Sequence, residues 1–153
     1  MRHFFYLFLG LFLIIPFSSC KEDDPPSPED QALRDRRALL ESTVWEAVRV
    51  TNNEEPVYSY YNFTLEVSGD LMTTNDRYRV FPTTRYTFVD NNPDLVLRQV
   101  DDITMTLSNV SDTTLTISFT LDQSFDDFND GGTPGGREEQ LSGDYIFIMT
   151  PRE

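Results

Sequence analysis

Residues 114–121 change character at every step. Leu115, Ile117, Phe119 and Leu121 are apolar, while Thr114, Thr116, Ser118 and Thr120 are polar. A strand turns successive side chains to opposite faces, so this pattern builds a strand with one dry face and one wet face. Residues 103–107 repeat it, with Ile103, Met105 and Leu107 set against Thr104 and Thr106. The longest run is 57–67. There Val57, Ser59, Tyr61, Phe63, Leu65 and Val67 alternate with Tyr58, Tyr60, Asn62, Thr64 and Glu66. It predicts one strand with Tyr61 and Phe63 inward and Tyr58 and Tyr60 outward. Weaker strands are predicted over 44–50, 77–81, 84–89, 95–100 and 144–149. Arg98 falls where the alternation is ambiguous between Val96 and Leu97, which makes it the candidate for an arginine that points inward.

Turn signals separate most of these strands: Asn52-Asn53, Ser68-Gly69-Asp70, residues 90–93 and Ser111-Asp112. Short neighbours joined by tight turns favour an antiparallel meander. About eight such strands close into a small up-and-down barrel, which removes exposed edges. The reading is therefore an all-β barrel over 43–150, with a β-sandwich of the same strands as its rival. A short helix is predicted before it, over 29–41. Ser27 can cap it, Pro28 suits its first position, and Glu29 and Asp30 favour the positive end of its dipole.

The amino terminus differs from the rest. Residues 1–19 contain Arg2 and His3, then an apolar run over 4–17, and no acid. This pattern reads as a secretory signal, too short to span a bilayer comfortably. Phe17-Ser18-Ser19-Cys20 resembles the lipobox of bacterial lipoproteins, which implies that the Cys20 thiol is lipidated and becomes the new terminus. Cleavage before Cys20 leaves 11 Lys+Arg against the full 26 Asp+Glu, because Arg2 is the one charged residue removed. Such an excess of acid argues against nucleic-acid binding and against simple adsorption to anionic lipid. Lys21-Glu22-Asp23-Asp24 is similar to the acidic export signal of surface lipoproteins of the Bacteroidota. That implies anchoring in the outer membrane facing the exterior, with a periplasm-facing anchor as the alternative. Residues 20–28 form the tether, and Pro25-Pro26-Ser27-Pro28 makes its last part a stiff spacer.

The lipid cysteine, acidic tether, short helix and Trp45 opening the first strand together resemble the lipocalin-like lipoproteins of that phylum. Arg85-Tyr86-Thr87-Phe88, Asp112-Thr113-Thr114-Leu115-Thr116 and Gly143-Asp144-Tyr145-Ile146-Phe147 add to the resemblance, although Thr43 stands where the family often has Gly. The resemblance implies a barrel able to hold a small apolar ligand, with Tyr61, Phe63, Phe88 and Phe119 as its candidate lining. Barrels of about eight strands are also just wide enough to be filled by their own side chains. The bulk of Phe63, Leu65, Ile117 and Phe119 favours that second reading: a structural or protein-interaction module with Tyr58, Tyr60 and Arg49 as its contact face. Trp45 reads as a plug in the core.

Elimination removes most chemistry. His3 and Cys20 are the only residues of their types, and Lys21 is the only lysine. After processing, no imidazole base, thiol nucleophile or His/Cys metal set remains, so the chain reads as a non-enzyme that needs no cofactor. The loop 122–139 partly resembles a calcium loop, with Asp127, Asn129 and Glu138 as ligand candidates. Gly131 offers no ligand where one belongs, and the loop reads first as an acidic hairpin tip. Asp112-Thr113-Thr114 resembles the triplet at which these bacteria glycosylate exported proteins, which makes Thr113 a modification candidate.

Overall fold

The computed structural model describes residues 26–76, 80–122 and 142–153. The signal segment, Cys20 and Lys21-Glu22-Asp23-Asp24 lie outside them, as do Asp127, Asn129 and Glu138. Helix α1 spans Pro28–Glu41. Ser27 caps it, its hydroxyl oxygen accepting the Asp30 amide at 3.1 Å, and Pro28 opens it. The helix ends where the Ser42 amide and hydroxyl both donate to the Leu39 carbonyl. Leu40 is fully buried, and the Trp45 indole donates to its carbonyl at 2.9 Å. This bond locks the end of the helix to the start of the barrel.

The strands are β1 (Trp45–Asn52), β2 (Glu55–Pro56), β3 (Thr64–Ser68), β4 (Leu71–Thr74), β5 (Thr84–Phe88), β6 (Leu95–Arg98), β7 (Thr104–Ser108), β8 (Leu115–Leu121) and β9 (Gly143–Pro151). Consecutive strands from β3 to β9 pair antiparallel, β1 pairs with β3, and β9 returns to pair with β1 from Trp45↔Pro151 to Asn52↔Tyr145. That last pairing closes an eight-stranded meander barrel and excludes the sandwich. The two-residue β2 is an appendage, folded back on β1 by Asn53 and Glu54, both at positive φ.

Side chains alternate as expected in the clearest strands. Met105 and Leu107 on β7 are buried, as are Leu115, Ile117, Phe119 and Leu121 on β8. Two expectations are corrected. Residues 57–63 are not strand: Tyr58–Tyr60 form a 310 turn, η1, and pairing resumes only at Thr64. A 310 turn repeats every three residues, so Tyr60 swings inside and Tyr58 and Tyr61 both point out. Second, the strand expected over 77–81 is not found among its described residues. Its place in the meander is taken by β4, and Val80 and Phe81 lie in the bends that follow. Both are nevertheless fully buried.

α1 lies at the end of the barrel that carries the β3–β4 and β5–β6 turns. Glu41 accepts the Gly69 amide at 2.8 Å, and Arg36 pairs with Asp94. The opposite end, the mouth, carries η1, the β4–β5 connection and the β6–β7 turn.

Candidate functional site

The mouth is plugged from within. Phe147 on β9 is ringed by Tyr60, Phe63, Phe81 and Phe119, with centroids 4.8–5.9 Å away, and Tyr145 stacks on Phe119 at 5.6 Å. Offset and edge-to-face pairs of this kind each contribute about 0.5–1.5 kcal/mol beyond the area they bury. Tyr60 arrives from η1, Phe63 from the segment after it, and Phe81 from the β4–β5 connection.

Arg98 completes the plug. It is fully buried, with its guanidinium 4.8 Å from the Phe119 ring centre and 5.5 Å from that of Phe81. It donates to the Val80 carbonyl at 2.7 Å and grips both carboxylate oxygens of Asp101 in the β6–β7 turn. A buried cation survives in a protein only when paired and hydrogen-bonded, and every part of that condition is met here. The arrangement holds three elements together and offers the interior no open charge.

The four ligand-lining candidates fall in three environments. Phe63 and Phe119 belong to the aromatic plug. Tyr61 lies outside, 81% exposed. Phe88 is half-buried on β5, edge-on to Tyr86 and beneath Arg37 of α1. Beside it, burial pushes the Tyr86 hydroxyl above its ordinary value, opposed in part by the Arg37 guanidinium. Thr113 is exposed on the β7–β8 turn, its amide bonded to the Ser111 hydroxyl. Of the expected contact face, Tyr58 and Arg49 are exposed while Tyr60 is buried.

The outer surface near the mouth has two hollows that share Tyr61. One, of about 130 Å³, runs between Val48 and Arg49 on β1, Pro56, and Tyr58 and Tyr61. A bulge in the pairing between Ala47 and Arg49 leaves Val48 62% exposed there. The other, of about 300 Å³, opens between η1 and the end of β4, against Ser59, Tyr61, Asn62, Asn75 and Asp76. Sequence periodicity missed the second hollow because Asn75 and Asp76 lie beyond a strand it did not register.

Among the described residues, no group of three or more His, Cys, Asp or Glu side chains is placed to hold a metal ion. No described helix is long and apolar enough to cross a membrane. No protein-family model matches the chain, and no curated protein matches it.

Proposed function

We propose that this chain is a non-catalytic interaction module that works through the outside of a filled barrel. The observation that carries this reading is the plug: six aromatic rings and the Arg98–Asp101 pair occupy the interior where a lipocalin-like ligand would sit. The outward face of η1, with Tyr58, Tyr61, Val48 and Arg49, supplies the contact surface. Tyrosine and arginine are the residue types enriched in such patches. The lipobox resemblance at Cys20 and the acidic and proline-rich residues after it support an anchor in the outer membrane, with the module held clear of the lipid.

A neutral apolar dye, N-phenyl-1-naphthylamine, tests the filled interior. The full chain should show no saturable uptake, and Phe119→Ala should create a dye site by emptying the plug. Saturable, stoichiometric uptake by the unaltered chain overturns the reading in favour of an apolar-ligand carrier. The anchor is tested separately by the intact mass of the protein made in a lipoprotein-processing bacterium. The mass gained by acylation should disappear in Cys20→Ser.

A further inference from the structure

We infer that the η1 face is a self-association surface. Two copies of the chain pair about a two-fold axis, each setting a tyrosine ring into the hollow between β1 and η1 of the other. This rests on reading the η1 face as the recognition surface and names a second copy as its partner. Three observations lead to it.

The first is the fit of the patch to itself. Tyr58 and Tyr61 are both 81% exposed, and with Val48, Arg49 and Pro56 they line a hollow of about 130 Å³. An enclosed apolar cavity of about 150 Å³ admits benzene, so this hollow has room for about one aromatic ring. A protruding ring and a space for a ring therefore share one patch. That is the condition for an isologous pair, in which the same surface of both copies makes the contact.

The second is charge. Arg36, Arg85 and Arg98 each hold an aspartate, whereas Arg49 is exposed and joins none of the ion pairs or cation–π contacts among the described residues. No acid lines the hollow. A ring entering beside Arg49 offers the guanidinium its negative face, and the two-fold axis makes that contact twice. The chain carries 26 Asp+Glu against 12 Lys+Arg, so two copies repel over most approaches. The lining of this hollow sets no carboxylate against its own copy.

The third is area. A tyrosine side chain presents about 150–250 Å², so two at this exposure, with Val48 and the Arg49 stem, offer about 500–600 Å² per copy. The pair then buries about 1,000–1,200 Å², at the lower end for specific interfaces.

The test is sedimentation equilibrium of the full chain. The detergent is pentaethylene glycol monooctyl ether, matched in density by the buffer, with micelles in large excess over protein. A reversible monomer–dimer equilibrium is expected, with Kd about 1–100 μM, stopping at the dimer because an isologous contact closes. Amides of 47–61 should exchange more slowly at high protein concentration, while those of β7 and β8 stay unchanged. Arg49→Glu should weaken the dimer at least about tenfold, as should Tyr58→Ala combined with Tyr61→Ala. All three positions are exposed, so the urea midpoint should hold in both variants. Raising NaCl from about 0.05 to about 0.5 M should tighten the dimer by screening the repulsion between acidic copies. Weakening by salt would mean that Arg49 grips a carboxylate instead of a ring, and overturns the inference. So does a chain that stays monomeric to about 200 μM. A dimer that both variants leave intact, or association that grows past the dimer, overturns it too. If the chain stays monomeric while the dye is still excluded, the second copy falls as the partner and the filled-barrel reading stands.

Discussion

Deleting the Asp101 carboxylate should cost more stability than deleting the Arg98 guanidinium, although it removes the smaller group. Arg98 is fully exposed to no solvent, whereas the Asp101 side chain keeps 19% exposure at the rim. In Asp101→Ala the guanidinium stays buried with the Val80 carbonyl and two rings but has lost its counter-charge. Breaking a buried pair from one side costs about 3–5 kcal/mol, and water reaching the vacated rim lowers this to about 2–4 kcal/mol. In Arg98→Met the Val80 carbonyl loses its donor, about 1 kcal/mol, and the ring contacts lose their cation, about 0.5–2 kcal/mol. Against that, a buried charge is removed, Asp101 hydrates at the rim, and an apolar chain of similar reach fills the space, leaving a net cost of about 1–2 kcal/mol. Urea unfolding followed by the fluorescence of Trp45, the only tryptophan and fully buried, reports both. The double variant should be about as stable as Arg98→Met alone, because the carboxylate has nothing left to neutralise. If Asp101→Ala proves milder than Arg98→Met, the pair is not the buried, mutually dependent unit described here.

Three further outcomes follow from local geometry. Glu54 sits at φ 68° in the β1–β2 hairpin, where glycine avoids the left-handed penalty, so Glu54→Gly should raise the urea midpoint by about 1 kcal/mol of stability. Trp45→Phe removes the indole bond to the Leu40 carbonyl; a loss of about 1–2 kcal/mol is expected, with α1 exchanging its amide hydrogens faster than the barrel. Tyr86 is held above the ordinary tyrosine value of 10.0, chiefly by burial. Its contribution is therefore fully present below that value and lost as pH rises through the folded one. Ultraviolet titration should show a late phenol that vanishes in Tyr86→Phe, and that variant should lose less stability at alkaline pH.

The barrel was legible wherever a strand keeps one face dry. On β7 and β8 the alternation of Met105, Leu107, Ile117 and Phe119 with polar neighbours carries the inside–outside assignment directly; on β9 the apolar run Tyr145-Ile146-Phe147-Ile148-Met149 marks a strand but not which face is inward. β4 was not, because Leu71–Thr74 is four residues long and buries one of them, Met72. Too short a run shows no period. The alternation over 57–63 was real in the sequence but misleading, since tyrosine suits a strand, a turn and a surface alike. What decides is the two-residue β2 hairpin just before it, which turns the chain away from the β1 edge and brings η1 across the mouth.

The same displacement explains why the candidate site escaped a reading by period. Tyr60, Phe63, Val80 and Phe81 are buried yet belong to no strand, so no repeat announces them. They are buried because a meander of eight short strands leaves an open end, and the connections there must fold inward to keep the interior dry. A segment that puts every third side chain inside must put its neighbours outside. Tyr60 in the plug therefore positions Tyr58 and Tyr61 on the surface, and Asp76, accepting the Phe81 amide, ties the end of β4 to a fully buried ring of the plug. Burying Tyr60 and exposing Tyr58 and Tyr61 are thus two consequences of one turn of the chain.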